Sequence, residues 1–216
     1  MPTAKAGYYV DETRVPSVTT IIGRFKEAGG LIHWAWKLGM EGKDYREIRD
    51  QAANAGTIAH EAVEKWIHGG PETDISFNLE NEIERKAAGS FKAFLEWSKQ
   101  TNLRVEQTEL PLISKKHMFG GTFDAILVQG KRSVGDWKSS NAIYPEYLVQ
   151  IAAYGKLWEE NYPDLPIDGG FHLLRFDKEY GDFHHHYWAE LDAAWIAFLH
   201  LRELYELDKE LKARVK

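Results

Sequence analysis

The sequence predicts an α/β fold, with a central mixed β-sheet flanked by helices and a helical portion at the N-terminus. Apolar residues recur at helical spacing in the first hundred residues, and short β-branched segments bounded by glycine or polar residues follow. Helix and strand patterns then alternate. A length of 216 residues with 44% hydrophobic content fits one domain with a sizeable core. We therefore predict a single domain over residues 1–216, of which 1–103 are mainly helical, 104–190 form the sheet with one helix, and 191–216 form a C-terminal helix.

Turn and capping residues place the individual elements. Residues 8–16 are predicted to be extended, because Pro16 disfavours helix at Val15. Ser17 or Thr19 is the expected cap of a first helix. Further helices are predicted over LIHWAWKLGMEG, 43–67, 78–101, 144–160 and 192–213. Strands are predicted over LRVEQTELPLIS, GGTFDAILVQ and KRSVGDWKSS, and a hairpin over IDGGFHLLRF and FHHHYWAEL.

Composition excludes several classes of function. The chain has no cysteine, which excludes disulfide scaffolds, thiol nucleophiles and cysteine-held zinc or iron–sulfur sites. Its 27 basic and 33 acidic residues give a net charge of −6, which argues against a broadly basic nucleic-acid binder. Nine of the acids lie in the base-free segments 71–84 and 159–168, so a locally basic face remains compatible with this total. Without an apolar run of ~20 residues or a signal-peptide pattern, we expect a cytoplasmic protein that does not enter a membrane.

The segment GGTFDAILVQGKRSVGDWKSS is the most informative part of the chain. A hairpin centred on Gly130 would bring Asp124 and Asp136 nearly opposite each other, with Cβ atoms ~5 Å apart. Lys138 shares a strand face with Asp136, whereas Trp137 points to the other face and into the core. Two carboxylates suit Mg²⁺ or Mn²⁺, and a neighbouring ammonium suits phosphoryl chemistry. From this spacing alone, a salt-bridged hairpin on the surface, without a functional role, remains an alternative interpretation.

This segment resembles the PD-(D/E)xK nuclease superfamily, in which an aspartate on one strand is followed by Asp/Glu-x-Lys on the next. GTIAH, Gly56 to His60, resembles the GxxxH element of the RecB-like branch, and QIAAY, Gln150 to Tyr154, resembles its QxxxY element. The three elements stand in the order typical of that branch. PSVTTII and GDWKSSNAIYPEYLVQIAAY are similar to phage-type exonucleases and to the mitochondrial genome maintenance exonuclease. The resemblance spans roughly residues 14–158.

The resemblance implies a restriction-endonuclease-like core in which residues 104–190 form the catalytic sheet with the QxxxY helix. It also implies that His60, Asp124, Asp136 and the backbone carbonyl of Trp137 hold Mg²⁺ or Mn²⁺. Lys138 would position or activate the attacking water. Gln150 and Tyr154 would support the site and the bound strand, although a core role for Tyr154 and a merely packed His60 stay open.

Several other residues can be interpreted either as functional or as ordinary surface residues. Glu64 either orients His60 or faces solvent, and Glu109 either lies near the site or on the surface of its strand. Ser139 and Ser140 suit donation to a phosphate. The bases in the loops around the hairpin either meet phosphates or are solvated: Lys115, Lys116, Lys131 and Arg132.

Two aromatic and histidine-rich stretches are weaker signals. His184 and His186 share a strand face that His185 does not, and we expect no metal there. His33, Trp34 and Trp36 suit stacking on exposed bases, although tryptophans two apart cannot share a helix face. One of these two tryptophans is therefore expected in the core.

The site residues together with the resemblance predict a metal-dependent nuclease of DNA. The resemblance further implies an exonuclease that acts on single-stranded ends in phage-type recombination, replication or repair. A structure-selective endonuclease of the same fold, and a DNA-binding recombination accessory protein without turnover, are the alternatives. The expected partners are DNA and phage recombination or replication proteins, in the cytoplasm of a bacterial host if the chain is phage-encoded. Some RecB-like relatives carry an iron–sulfur cluster, which the lack of cysteine excludes here.

Overall fold

A computed structural model describes residues 7–70, 72–140, 142–176 and 182–215. A hairpin of β1 and β2 precedes four helices, three strands, a helix, two strands and a final helix. The bounds are β1 Tyr8–Val10, β2 Thr13–Val15, α1 Val18–Arg24, α2 Gly29–Met40, α3 Tyr45–Ile67, α4 Glu82–Gln100, β3 Arg104–Ser114, β4 Phe119–Gln129, β5 Lys131–Lys138, α5 Pro145–Asn161, β6 Phe171–Phe176, β7 Phe183–Trp188 and α6 Asp192–Arg214.

The predicted fold class is confirmed, since a five-stranded mixed sheet is flanked by helices. The strand order is β3-β4-β5-β6-β7, and β5 and β6 are parallel whereas the other neighbours are antiparallel. The crossover from β5 to β6 runs through α5, as parallel neighbours require. The restriction-endonuclease-like character of this core stays a prediction.

Local capping explains where the N-terminal helices begin. Ser17, and not Thr19, caps α1, because its hydroxyl accepts the Thr20 N–H at 3.0 Å. Asp44 caps α3 by accepting the Arg46 N–H at 2.8 Å, and Asn81 caps α4 through an analogous bond to Ile83 at 2.9 Å. These caps start α3 and α4 two and four residues later than the sequence pattern predicted.

The core lies on both faces of the sheet. One cluster joins the sheet to α1, α5 and α6, and the other joins it to α3 and α4. Trp137 belongs to the second cluster, where its ring meets those of Phe94 and Trp97 edge-on. The predicted inward orientation of Trp137 is therefore confirmed, and Asp136 and Lys138 project to the opposite face.

The register of the central hairpin agrees with the prediction. Gly130 occupies the turn with a left-handed φ of +74°, and the pairs run from Gln129 with Lys131 to Ala125 with Gly135. Asp124 and Asp136 are the residues immediately beyond the last pair, on neighbouring strands. The turn thus sets the proximity of the two carboxylates.

The segment of α2 and the first half of α3 is the most exposed part of the described chain. Residues 23–54 contain no buried residue, and Trp36 is 61% exposed. Trp34 is half-buried against the edge of Tyr45, so the expectation that one of these tryptophans is in the core is wrong. Although α2 is apolar, none of the helices in the described ranges is long and apolar enough to cross a membrane.

Gly121→Ala is expected to lower the free energy of unfolding by about 1–3 kcal/mol, because a Cβ there overpacks the core. That atom would lie 2.8 Å from Tyr154, 3.0 Å from Leu157 and 3.1 Å from Val18. Urea unfolding measures the effect. Gly39→Ala is the control, since a Cβ on this exposed helix meets no atom within 4 Å. An equal loss in both variants would contradict the packing argument.

Candidate active site

Three side chains from three elements meet beside the central hairpin. His60 comes from α3, Glu109 from β3 and Asp124 from β4, and one ligand atom of each lies within 4.8 Å of the others. They line a narrow crevice together with Val63, Glu64, Ile67, Thr108 and Trp137. The GxxxH helix is thus placed against the strand that carries the first aspartate.

A glycine allows this close approach of α3. A Cβ on Gly56 would lie 3.2 Å from the Ser139 hydroxyl, which follows directly after β5. His60 lies one helical turn further on and faces the crevice. Gly56 thus lets α3 approach the end of β5 closely, since a Cβ there would press on the Ser139 hydroxyl.

Asp124 is held by the backbone of the neighbouring strand. Its Oδ2 accepts the Trp137 N–H at 2.7 Å, just past the last paired residues of β4 and β5. The bond fixes the carboxylate and, because Trp137 is anchored in the core, fixes it relative to the rest of the sheet. The two motif strands are therefore joined at the site itself.

Asp136 is fully buried, at 0% exposure. Lys138 Nζ lies 2.6 Å from its Oδ2 and forms a buried ion pair with it, whereas Oδ1 has no hydrogen-bond partner among the described residues. Burial, with the nearby charge of Asp124, raises the pKa of Asp136 from 3.8 to about 6, although Lys138 and His60 act against it. The desolvation of this carboxylate thus outweighs its attraction to the nearby positive charges.

Glu109 has a strained backbone. Its φ of +46° is left-handed in the middle of β3, where the pairing with β4 passes from Thr108 with Ala125 to Leu110 with Phe123. The residue as a whole is exposed, yet partial burial of its carboxyl group and the charges of Asp124, Glu64 and Asp136 raise its pKa from 4.5 to about 7. The structure thus favours the interpretation that places Glu109 at the site.

Lys138 lies between the site and α5. Burial lowers the pKa of this lysine, but the charges of Asp136 and Asp124 outweigh burial and keep that pKa above its ordinary value. The Tyr147 ring lies 5.1 Å from the ammonium nitrogen. The sequence reasoning missed Tyr147, although its spacing of three and seven residues from Gln150 and Tyr154 puts it on the same helical face.

Tyr154 is both a core residue and the hydrogen-bond partner of Gln150 in the QxxxY pair. The ring is buried in the core, and the hydroxyl accepts a hydrogen bond from Gln150 Nε2 at 2.9 Å. Burial and the charges of Asp136 and Asp124 raise the pKa of Tyr154 well above its ordinary value, so the hydroxyl stays protonated. Gln150 thereby obtains the partner that a polar group in an apolar helix needs.

The four loop bases lie away from this centre. The backbone N–H groups of Lys115 and Lys116 donate to Glu160 at 2.8 and 3.1 Å, and Lys131 lies at the opposite turn of the hairpin. Arg132 forms a two-pronged pair with Glu106 at 2.8 and 3.0 Å. Both turns are ~17–20 Å along β4 from Asp124, and the structure does not bring these bases together with the site.

The remaining candidates have identifiable contacts. Glu64 lines the crevice, but its carboxylate lies 3.8 Å from His68, and no hydrogen bond to His60 is formed among the described residues. The Ser140 hydroxyl donates to the Ala142 carbonyl at 2.7 Å. His185 pairs with His172 at 2.8 Å. Within the described ranges, the run 184–186 contributes to no metal-type cluster.

Comparisons with known proteins found similarity of fold to solved structures. No protein-family model matches the sequence, and no curated protein matches it. Among solved structures, the fold is similar to that of a candidate exonuclease from Eubacterium rectale, with 11% identity, coverage of 69% of this chain and 64% of that one, and a TM-score of 0.47. The chain thus spans less than two thirds of that protein, and similarity at this level carries no information about activity.

Proposed function

We propose that the protein is a metal-dependent nuclease that hydrolyses phosphodiester bonds in DNA. The supporting observation is the convergence of His60, Glu109 and Asp124, with the buried ion pair of Asp136 and Lys138 beside them. Several carboxylates at such close range repel one another unless a cation is shared among them. An ammonium beside such a cation can stabilise the charge that develops on a phosphate during hydrolysis.

The donor set fits a hard divalent cation. Carboxylate oxygens and one imidazole nitrogen suit Mn²⁺ or Mg²⁺. The specific indication is Oδ1 of buried Asp136, which accepts no hydrogen bond among the described residues. His60, Asp124, Asp136 and the Trp137 carbonyl would hold it, with Glu109 as a further ligand. When bound, such an ion polarises the phosphate and lowers the pKa of a coordinated water.

The chain's own residues supply the remaining chemistry. Lys138, fixed between Asp136 and the Tyr147 ring, would orient the attacking water and stabilise the charge that develops on the phosphate. Gln150 and Tyr154 would hold the α5 face against the strand that carries Lys138. Asp124, held by the Trp137 N–H, would keep its place throughout the reaction.

Single-stranded DNA ends are the substrate we favour. Trp36 projects from α2 and its ring lies 5.6 Å from that of His33, an exposed aromatic pair on which unpaired bases can stack. Phage-type recombination, replication or repair is the corresponding role. A structure-selective endonuclease with the same site and an accessory protein without turnover are the rival functions.

End-labelled linear and covalently closed circular single strands distinguish these functions. We expect Mg²⁺ or Mn²⁺ to support degradation of the linear strand, chelator to stop it, and circles to resist it, because an exonuclease needs an end. Cleavage of circles would favour the endonuclease. A protein inert on linear and circular DNA, single- or double-stranded, with both metals would contradict the proposed function.

A further inference from the structure

Arg175 lies beside Lys138 on the same face of the sheet. The parallel register of β5 and β6 pairs Lys138 with Arg175, and the antiparallel register of β6 and β7 pairs Arg175 with His184. Paired residues on neighbouring strands are ~4.8 Å apart and project to the same side. A row of basic side chains thus runs from the candidate site towards the edge of the sheet.

The Arg175 side chain reaches the segment that follows Lys138. Its Nη1 lies 3.4 Å from the Ser140 carbonyl oxygen, a long hydrogen bond that places the guanidinium above residues 139–140. Ser139 in turn lies against Gly56, one turn before His60. A guanidinium, a serine hydroxyl and the crevice are therefore consecutive features of one surface.

The charges of Lys138 and Arg175 have different surroundings. Lys138 Nζ lies 2.6 Å from Asp136, so its charge serves the buried carboxylate. Arg175 is half-buried, and its hydrogen bond within the described part of the chain is a long one to a neutral carbonyl, at 3.4 Å. Its planar fork of donors matches two oxygens of a phosphate, and such charge-assisted pairs are stronger than a neutral contact.

We infer that Arg175, with the Ser139 hydroxyl, binds a phosphate adjacent to the scissile one on the same DNA strand. This inference rests on the proposed nuclease function and specifies how the substrate is held. A strand whose scissile phosphate lies at His60, Asp124 and Lys138 continues over residues 139–140 and meets the guanidinium. The contact fixes the register of the strand without reading its sequence.

The test uses single strands in which one phosphate at a time is replaced by an uncharged methylphosphonate. Wild-type protein is expected to lose roughly tenfold in kcat/KM when the phosphate at the Arg175 position is neutralised, about the effect of one charge-assisted contact. Arg175→Ala should lose about as much on unmodified DNA and nothing further on that modified strand. Lys92→Ala, a change of the same charge at an exposed position of α4, should leave both rates unchanged.

The results distinguish a phosphate contact of Arg175 from a purely structural role of this residue. They also distinguish failure of this inference from failure of the proposed nuclease function. If Arg175 only supports the Ser140 backbone, Arg175→Ala will be slower but will keep the wild-type interference pattern, which overturns the inference. An Arg175→Ala variant as active as wild type overturns it as well. Arg175→Lys, which keeps the charge but loses the fork, should recover part of the rate. Wild-type protein that cleaves no DNA refutes the nuclease proposal itself, and the inference with it.

Discussion

Lys138→Met should lower the rate of metal-dependent DNA cleavage by roughly 10²–10⁴-fold, the usual effect of removing a positioned proton-transfer or charge-stabilising group. Methionine fills the same space between Asp136 and Tyr147 but has no ammonium to orient water. The pKa of Asp136 should rise further, because the largest opposing charge is gone. Single-turnover cleavage of a labelled strand measures the loss of the chemical step.

Asp124→Asn should cause a loss of similar size for a different reason. The amide oxygen still accepts the Trp137 N–H, so the hairpin keeps its geometry, but the negative charge near His60 is absent. Lys92→Met serves as the control for lysine replacement on an exposed face. If either site variant, verified as folded by circular dichroism, cleaves DNA at the wild-type rate, the proposed site is wrong.

The central hairpin was predictable because its geometry is local. Gly130 permits the left-handed turn, and the period of two then determines which side chains share a face. From these facts alone, Asp124 and Asp136 are neighbours and Trp137 is inward. The helical spacing of Gln150 and Tyr154 likewise predicts their shared face, and the structure adds their hydrogen bond.

At Glu109, the regular alternation of side chains along a strand does not predict which way the side chain points. The sequence places it on one face with Val105, Gln107 and Pro111, but the register shifts between Val105 and Gln107 and φ is positive at Glu109 itself. Irregularities of this kind depend on packing against neighbouring elements, here α3 with His60. The orientation of the Glu109 carboxyl group therefore could not be predicted from the pattern of residues.

Partners distant in sequence were equally unpredictable. Arg132 is a base in a loop by sequence, and only the pairing of β3 with β4 and of β4 with β5 reveals Glu106 as its partner. Arg175 stands next to Lys138 because β6 pairs in parallel with β5 after the α5 crossover. Strand order is a global property, so a single segment does not contain it.

Asp136→Asn should make the metal-free protein more stable at pH 8 while abolishing its activity. In the folded state, burial raises the pKa of Asp136 from 3.8 to about 6, so between those values the folded protein binds more protons than the unfolded chain. The free energy of unfolding consequently falls as pH rises through this window and is lowest above it. The cost of ionised Asp136 is on the order of 3 kcal/mol, and asparagine removes it.

The attraction of Lys138 does not reverse this expectation, because the pKa of about 6 already includes that ion pair. Glu109, whose pKa is raised to about 7, adds a smaller effect of the same sign, since the residue is exposed and water screens its charge. Wild-type protein in chelator should therefore lose stability between about pH 4 and 7. Asp136→Asn should lose much less.

A divalent cation should reverse the order of stability of wild type and Asp136→Asn. Mn²⁺ at a thousandfold excess over its dissociation constant stabilises a folded protein by about 4.1 kcal/mol. This gain requires the carboxylate of Asp136 and exceeds the cost of its ionisation, on the order of 3 kcal/mol. Thermal unfolding at pH 8 should therefore show Asp136→Asn above wild type in chelator and below it in Mn²⁺. Asp164→Asn, the same change on an exposed residue, should follow wild type in both conditions. Equal Mn²⁺ shifts in wild type and Asp136→Asn would exclude Asp136 as a metal ligand, because only a cation held by this carboxylate can offset the cost of its burial.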